Sequence, residues 1–219
     1  MPLAISRNMQ IGIIGTGNVG SALGQAFAGQ GHNIMFGSRD PNNERVQDIL
    51  AKAGETASAG SVQDAVEFGE VVVLAVPWHA AQDIVESVAS SLDGKIVIEC
   101  SNPLKSDMSG LSVEPGTSAA ELVASWAPGA KVIKAFNNTG AGNFLNPMYG
   151  TEPMSMFICG DDLEAKSTVG DLAAQIGFDV VDCGSLTAAQ LLEGLAMLWI
   201  SLAYRQQMGP NIGFKLLRR

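Results

Sequence analysis

A doubly wound α/β fold, with a mostly parallel sheet and a C-terminal helical addition, is what this sequence predicts. Three observations carry the prediction. Apolar runs of strand length alternate with helix-length stretches nearly to the end of the chain, the pattern of a sheet with right-handed crossovers. Glu70-Val71-Val72-Val73-Leu74-Ala75-Val76 is β-branched and apolar, so it reads as a central parallel strand buried on both faces. Finally, Gly15-Thr16-Gly17-Asn18-Val19-Gly20 lies between a strand-like run, Met9 to Ile14, and a helix-like one, Ser21 to Ala28. Strand, tight glycine turn and helix together form the dinucleotide fingerprint of a Rossmann-type sheet. The 219 residues suffice for one such domain, read over 1–219 with 187–219 as the helical addition.

The remaining elements follow in order. Gly31 to Phe36 reads as the second strand and Asn43 to Ala53 as a helix, with Asp40 as an N-cap ahead of Pro41. Ser61 caps another helix, with Asp64 at its third position. Pro77 ends the central strand, and Trp78 to Ser90 is helical. Lys95 to Cys100 is a buried strand, Ser118 to Trp126 a helix, and Lys131 to Phe136 a strand. Asn137 to Pro153, with repeated Asn, Gly and Pro, is the longest loop. Strand (Met154 to Cys159), helix (Asp161 to Gly177) and strand (Phe178 to Asp182) precede one long helix from Thr187 to about Met208.

Composition excludes several function classes. Hydrophobic residues make up 47% and charged residues 16%, which supports a large core rather than disorder. The formal net charge of −9 argues against nucleic acid or an anionic membrane as partner. Cys100, Cys159 and Cys183 are odd in number, far apart and each near the end of an apolar run; they read as reduced core cysteines. Two histidines are too few for a His-rich metal cluster. No secretory signal is visible, and Leu191 to Tyr204, interrupted by Glu193, is read as too short to span a bilayer. A cytoplasmic location is expected.

Ligands of such sheets lie beyond the carboxyl ends of the strands. Gly15 permits the turn, Gly17 admits the backbone to the pyrophosphate, and Gly20 allows close helix packing. The helix N-terminus offers free N–H groups. About 20 residues on, where an enzyme for the unphosphorylated cofactor usually carries an acid, this chain has Ser38 and Arg39. A hydroxyl and a planar guanidinium suit a 2′-phosphate, so NADP(H) is the expected cofactor. The other strand ends contribute Ala75, Val76, Pro77, Trp78 and His79, then Ser101 and Asn102, then Asn137 to Gly140. Trp78 is read as either packing or ligand contact. Asn102 is placed for a nicotinamide carboxamide. No catalytic acid, base or metal site emerges, and no Lys, Asp or Glu at these strand ends has an obvious acid-base role apart from Glu99, just inside its strand. A cleft with a phosphate clamp, aromatics and amides but no clear proton donor suits direct hydride transfer.

With these motifs in place, the sequence resembles the NADPH-dependent deazaflavin coenzyme F420 reductases along almost its whole length. It is also similar to the cytoplasmic reductase domain of the STEAP metalloreductases. Matching stretches are Gly15 to Gly20, Gly37-Ser38-Arg39, Val76-Pro77-Trp78, Cys159-Gly160-Asp161-Asp162, Asp182 to Leu186, and Gly209 to Lys215. Cofactor contacts are expected at Gly15, Thr16, Gly17, Asn18, Val19, Gly20, Ser38, Arg39, Ala75, Val76, Pro77, His79, Ser101, Asn102, Asn137 and Gly140, of which the resemblance implies Thr16 to Val19, Ser38, Arg39, Val76, Pro77, Asn102 and the loop after Phe136. It implies a deazaflavin or a flavin (FMN or FAD) as acceptor, and a homodimer through the C-terminal helices. A Lys that helps the 2′-phosphate in the deazaflavin enzymes is matched by Asn43, and Phe136-Asn137 is closer to the metalloreductase domain. Two alternatives stand beside this reading: an NADPH-dependent reductase of a small imine or carbonyl, like the pyrroline-carboxylate reductases, and a non-catalytic NADPH-sensing protein.

Overall fold

A computed structural model describes residues 7–219. Strands β1 (Gln10–Ile14), β2 (Asn33–Gly37), β3 (Ala57–Gly60), β4 (Val71–Leu74), β5 (Ile96–Glu99) and β6 (Lys131–Lys134) pair in parallel. The hairpin β7 (Met148–Tyr149) and β8 (Glu152–Pro153) stands apart, and β9 (Ser155–Gly160) and β10 (Asp179–Asp182) complete the sheet. The order is β10-β9-β6-β5-β4-β1-β2-β3, antiparallel only at β6–β9. Chain order reverses at β1, which pairs with β2 on one side and β4 on the other. That switch point opens a crevice above the carboxyl ends of β1 and β4.

Both sheet faces are covered, as the apolar β4 run requires. Ile11, Ile13, Val71, Val73 and Ile98 pack in one cluster with Leu23 and Phe27 of α1 (Asn18–Gly29) and with Val169 and Leu172 of α6 (Leu163–Gln175). Their neighbours Ile14, Val72, Leu74 and Val97 point the other way. That face meets Val85 and Val88 of α4 (Trp78–Val88), Val123 of α5 (Ala119–Trp126) and Leu192 of α7 (Ala189–Ile200). Each such buried side chain contributes about 1.5–3 kcal/mol relative to exposure. The helix α3 (Val62–Phe68) begins with the expected capping box between Ser61 and Asp64.

Four local expectations are corrected. Residues 57–60 form the edge strand β3, whose Ala-Ser-Ala-Gly composition carries no strand signal. The cap of α2 (Glu44–Ala53) is Asn43, whose Oδ1 accepts from Val46 N at 3.0 Å, while Asp40 Oδ1 accepts from Asn42 N in the preceding turn. The long final helix divides: a 3₁₀ turn over Leu186–Ala188, α7, and a π turn over Ser201–Arg205. Beyond it the tail has no regular secondary structure, and Phe214 O accepts from Ser155 N at 2.8 Å. Lastly, Leu186–Arg205 is long and apolar enough by length and composition to cross a membrane, contrary to the reading of Leu191 to Tyr204 as too short. In this fold Leu192, Ala196 and Trp199 of this stretch are buried, Leu192 in the core cluster on the α4 and α5 face of the sheet.

Candidate cofactor and active site

The glycine turn has the geometry the sequence demands. Gly15 has φ 113°, and a Cβ there would lie 2.3 Å from Ala75 O, so only glycine fits. Gly20 brings α1 against the turn, since a Cβ would lie 2.1 Å from Gly15 O. Gly17 differs: a Cβ would meet nothing within 4 Å. Protein packing does not explain a glycine there, whereas a ligand resting on the backbone does. Gly17 is also the N-cap of α1, with no side-chain cap and no acid in the first turn. The first amides of α1 and the positive end of its dipole are therefore left for an anion.

A cavity of about 640 Å³ runs from this turn across the ends of β2 and β4. Gly15, Thr16, Gly17, Ser38, Arg39, Ala75, Val76, Pro77 and His79 line it. A smaller cavity of about 220 Å³ continues over Gly17, Asn18, Val19, Ala75, Val76, Pro77, Cys100 and Ser101. Beyond Asn18 lies a third space of about 530 Å³, bounded by α1, α2, Gly140 to Asn143 and Tyr204. Arg39 is exposed and makes no ion pair among the described residues. The Ser38 hydroxyl is held in its own turn, donating to Asp40 O at 3.1 Å and accepting from Asp40 N at 3.2 Å.

Asn102 and Asn137 are brought together rather than aimed into these spaces. Asn102 Nδ2 donates to Asn137 O at 2.9 Å, and Asn137 Nδ2 donates to Asn102 Oδ1 at 3.0 Å and to Leu192 O of α7 at 3.1 Å. Neither lines the three cavities described above, and their mutual bonds join the segments that follow β5 and β6. The turn before Asn137 is made by Phe136 at φ 60°, a conformation costly for a bulky side chain. Edge-on contacts with Phe27, Phe144 and Phe178, at centroid distances of 5.9, 5.8 and 6.3 Å, hold it there.

The stretch after it is more closed than its composition implies. Asn138, Thr139 and Asn143 are buried, and Asn143 Nδ2 donates to Thr139 Oγ1 at 2.8 Å and to Pro210 O at 3.1 Å. Gly140 remains on a cavity wall, but its lack of a side chain accommodates the Trp199 ring, 2.8 Å from where a Cβ would lie. Trp78 stacks on Trp126 at 5.4 Å, a packing contact between α4 and α5.

Sequence reasoning missed a buried ionic cluster beneath the strand ends. Lys134 Nζ donates to Glu99 Oε2 at 2.5 Å, Ser101 O at 2.6 Å and Glu193 Oε1 at 2.9 Å, all three charged side chains being fully buried. Glu99 Oε1 accepts from both the Ser101 amide and its hydroxyl. Burial works against the Lys134 charge, but the two carboxylates outweigh it and hold the pKa above the usual lysine value. Burial likewise pushes the Glu193 carboxyl up, against the pull of Lys134. Period-two alternation places Lys134 inside; the sequence signal that could have found its partners is the lone acid in the apolar stretch around Glu193. Burial pushes the Cys159 thiol up to about 12 and the Cys100 thiol well above its ordinary value.

The comparisons with known proteins agree with this geometry. The profile of a family described as NADP oxidoreductase, coenzyme F420-dependent, matches residues 10–103. The F420-dependent NADP reductase of Methanocaldococcus jannaschii is 31% identical over 209 residues, covering 89% of this chain and 92% of that protein. The chain belongs to the F420-dependent NADP reductase family. Among solved structures, a candidate F420-dependent NADP reductase from Arthrobacter sp. FB24 superposes with a TM-score of 0.88 at 28% identity, covering 96% of this chain and all of that one. The metalloreductase STEAP3 of Rattus norvegicus is 33% identical over 189 residues, or 86% of this chain, and the chain spans 36% of its length. Like the reductase family it joins, the chain is an NADP-dependent oxidoreductase in fold and motif.

Proposed function

We propose that this protein transfers a hydride between NADP(H) and a deazaflavin of the F420 type, with FMN or FAD as lesser acceptors. The observation that carries the reading is Gly17, a glycine facing open space at an uncapped helix N-terminus within the family's fingerprint. The nicotinamide supplies the hydride chemistry when bound. The chain binds and orients: amides of Asn18 to Gly20 receive the pyrophosphate, Arg39 the 2′-phosphate, and Ala75 to Pro77 flank the dinucleotide. Ser101 lines the small cavity at the ring end. Lys134 and Glu99 fix Ser101 from below, while Asn102 and Asn137 fix the adjoining backbone. Gly140 to Asn143 and the flank of α1 in the third cavity would receive the acceptor ring beside the cofactor, where hydride transfer would need a separation of about 3–3.5 Å.

A homodimer is part of this proposal. Leu191 and Leu198 are exposed at 74% and 49%, and with half-buried Leu195 and Leu202 they form a stripe at helical spacing. So is a cytoplasmic location, which suits the free thiols. The test is steady-state NADPH oxidation with F420, FMN, FAD and a cyclic imine side by side. Turnover with the deazaflavin is expected to exceed the others. Turnover of the imine alone would favour the pyrroline-reductase alternative, and binding of NADPH with no turnover of any acceptor would favour the sensor.

A further inference from the structure

We propose that Arg45 is a second guanidinium for the adenosine 2′-phosphate, acting with Arg39 to set the preference for NADP(H) over NAD(H). The inference rests on the cleft being an NADP(H) site.

A phosphate monoester carries about −1.5 to −2 charge near neutral pH. The rim that would receive it offers less than its sequence promises. Ser38 Oγ is occupied by Asp40 backbone groups. Asn43 caps α2 with Oδ1 and donates from Nδ2 to Asp40 O at 2.5 Å. Arg39 is then the one cation of the 38–43 turn, and Asp40 on the same rim offsets it. A dianion placed there lacks a counter-charge.

Arg45 supplies it. This residue is the second of α2, exposed, and lines the cofactor cleft with Arg39 and Asn43. Helical side chains lean toward the N-terminus of their helix, which carries the guanidinium back toward the Asn43 turn. Arg45 makes no hydrogen bond or ion pair among the described residues, not even with Asp48, three residues along the helix. A guanidinium fork matches phosphate in two-point geometry. Lys52 lies about 10 Å farther along α2 and borders only the third cavity, so it does not reach this rim.

Titration calorimetry with 2′,5′-ADP and with 5′-AMP isolates the phosphate in question. Native protein binds 2′,5′-ADP more tightly. Arg45→Ala is expected to weaken 2′,5′-ADP roughly ten- to a hundredfold and leave 5′-AMP unchanged. Arg45→Lys should recover part of the loss, and Lys52→Ala should lose nothing. Equal weakening of both ligands, or of neither, overturns the assignment of Arg45 while leaving the NADP(H) reading intact. Native protein that does not distinguish the two ligands overturns that reading and the assignment with it.

Discussion

Lys134 Nζ on β6 lies 2.9 Å from Glu193 Oε1 on α7, with neither side chain exposed to solvent. Together with Glu99 and the bond from Asn137 to Leu192 O, this pair ties the last helix to the strand ends that form the cleft. Breaking a buried pair by removing one partner strands the other's charge.

Lys134→Met should therefore destabilise the protein by about 3–5 kcal/mol, since it leaves two buried carboxylates facing each other. Urea unfolding measures this. A loss below about 1 kcal/mol, the scale of a surface pair, would mean that the cluster does not hold α7.

The same cluster predicts a pH dependence. Burial raises the Glu193 carboxyl above its ordinary value of 4.5 in the folded protein. As pH rises past that value, the unfolded chain loses this proton first, so the stability linked to Glu193 declines. Glu193→Gln removes the titration. Relative to native protein, the variant should gain stability between pH 4 and pH 7, read by urea unfolding at each pH. A constant difference across that range would contradict the assignment.

Gly17→Val should abolish NADP(H) binding and leave the fold intact. The added side chain meets no protein atom near its Cβ but occupies the path of the pyrophosphate. Unchanged circular dichroism with calorimetrically silent cofactor is the expected pair of results. Normal binding would show that the turn does not carry the phosphates.

Arg39→Ala should weaken NADPH binding by about 1.5–3 kcal/mol, roughly ten- to a hundredfold, and leave NADH nearly unchanged. Fluorescence titration with the two cofactors separates the cases. Equal affinity for both in native protein would remove the premise.

Leu198→Glu should convert the proposed dimer to monomer in light scattering at micromolar concentration, because it places a charge in the exposed stripe on α7. A native protein that is already monomeric at that concentration would refute the dimer.

Most of the sheet was legible because its strands are buried on both faces and written in Val and Ile. The edge strand β3 was not, since its pairing with β2 comes from backbone hydrogen bonds that Ala57 to Gly60 do not advertise. The glycine turn was equally readable: Gly15 and Gly20 each answer to a backbone distance, while Gly17 faces open space. The amides were less so. Asn102 and Asn137 read as ligand groups from their strand-end positions, yet 35 residues of separation concealed that they bond each other. Glu193 was visible only as an interruption, because its partner lies 59 residues away on another element.

Phe136 is under two opposed demands. Its backbone at φ 60° favours glycine or asparagine, while its ring sits among Phe27, Phe144 and Phe178 with 1% exposure. Glycine would relax the chain by about 1–2 kcal/mol but empty a space whose loss costs about 3–5 kcal/mol. The core wins, so the aromatic nest beside α1 acts as the mould against which the loop bearing Asn137 is cast. The shape of this loop is thereby inherited from the hydrophobic interior. Repacking that interior, with no cleft residue touched, would re-cut the site.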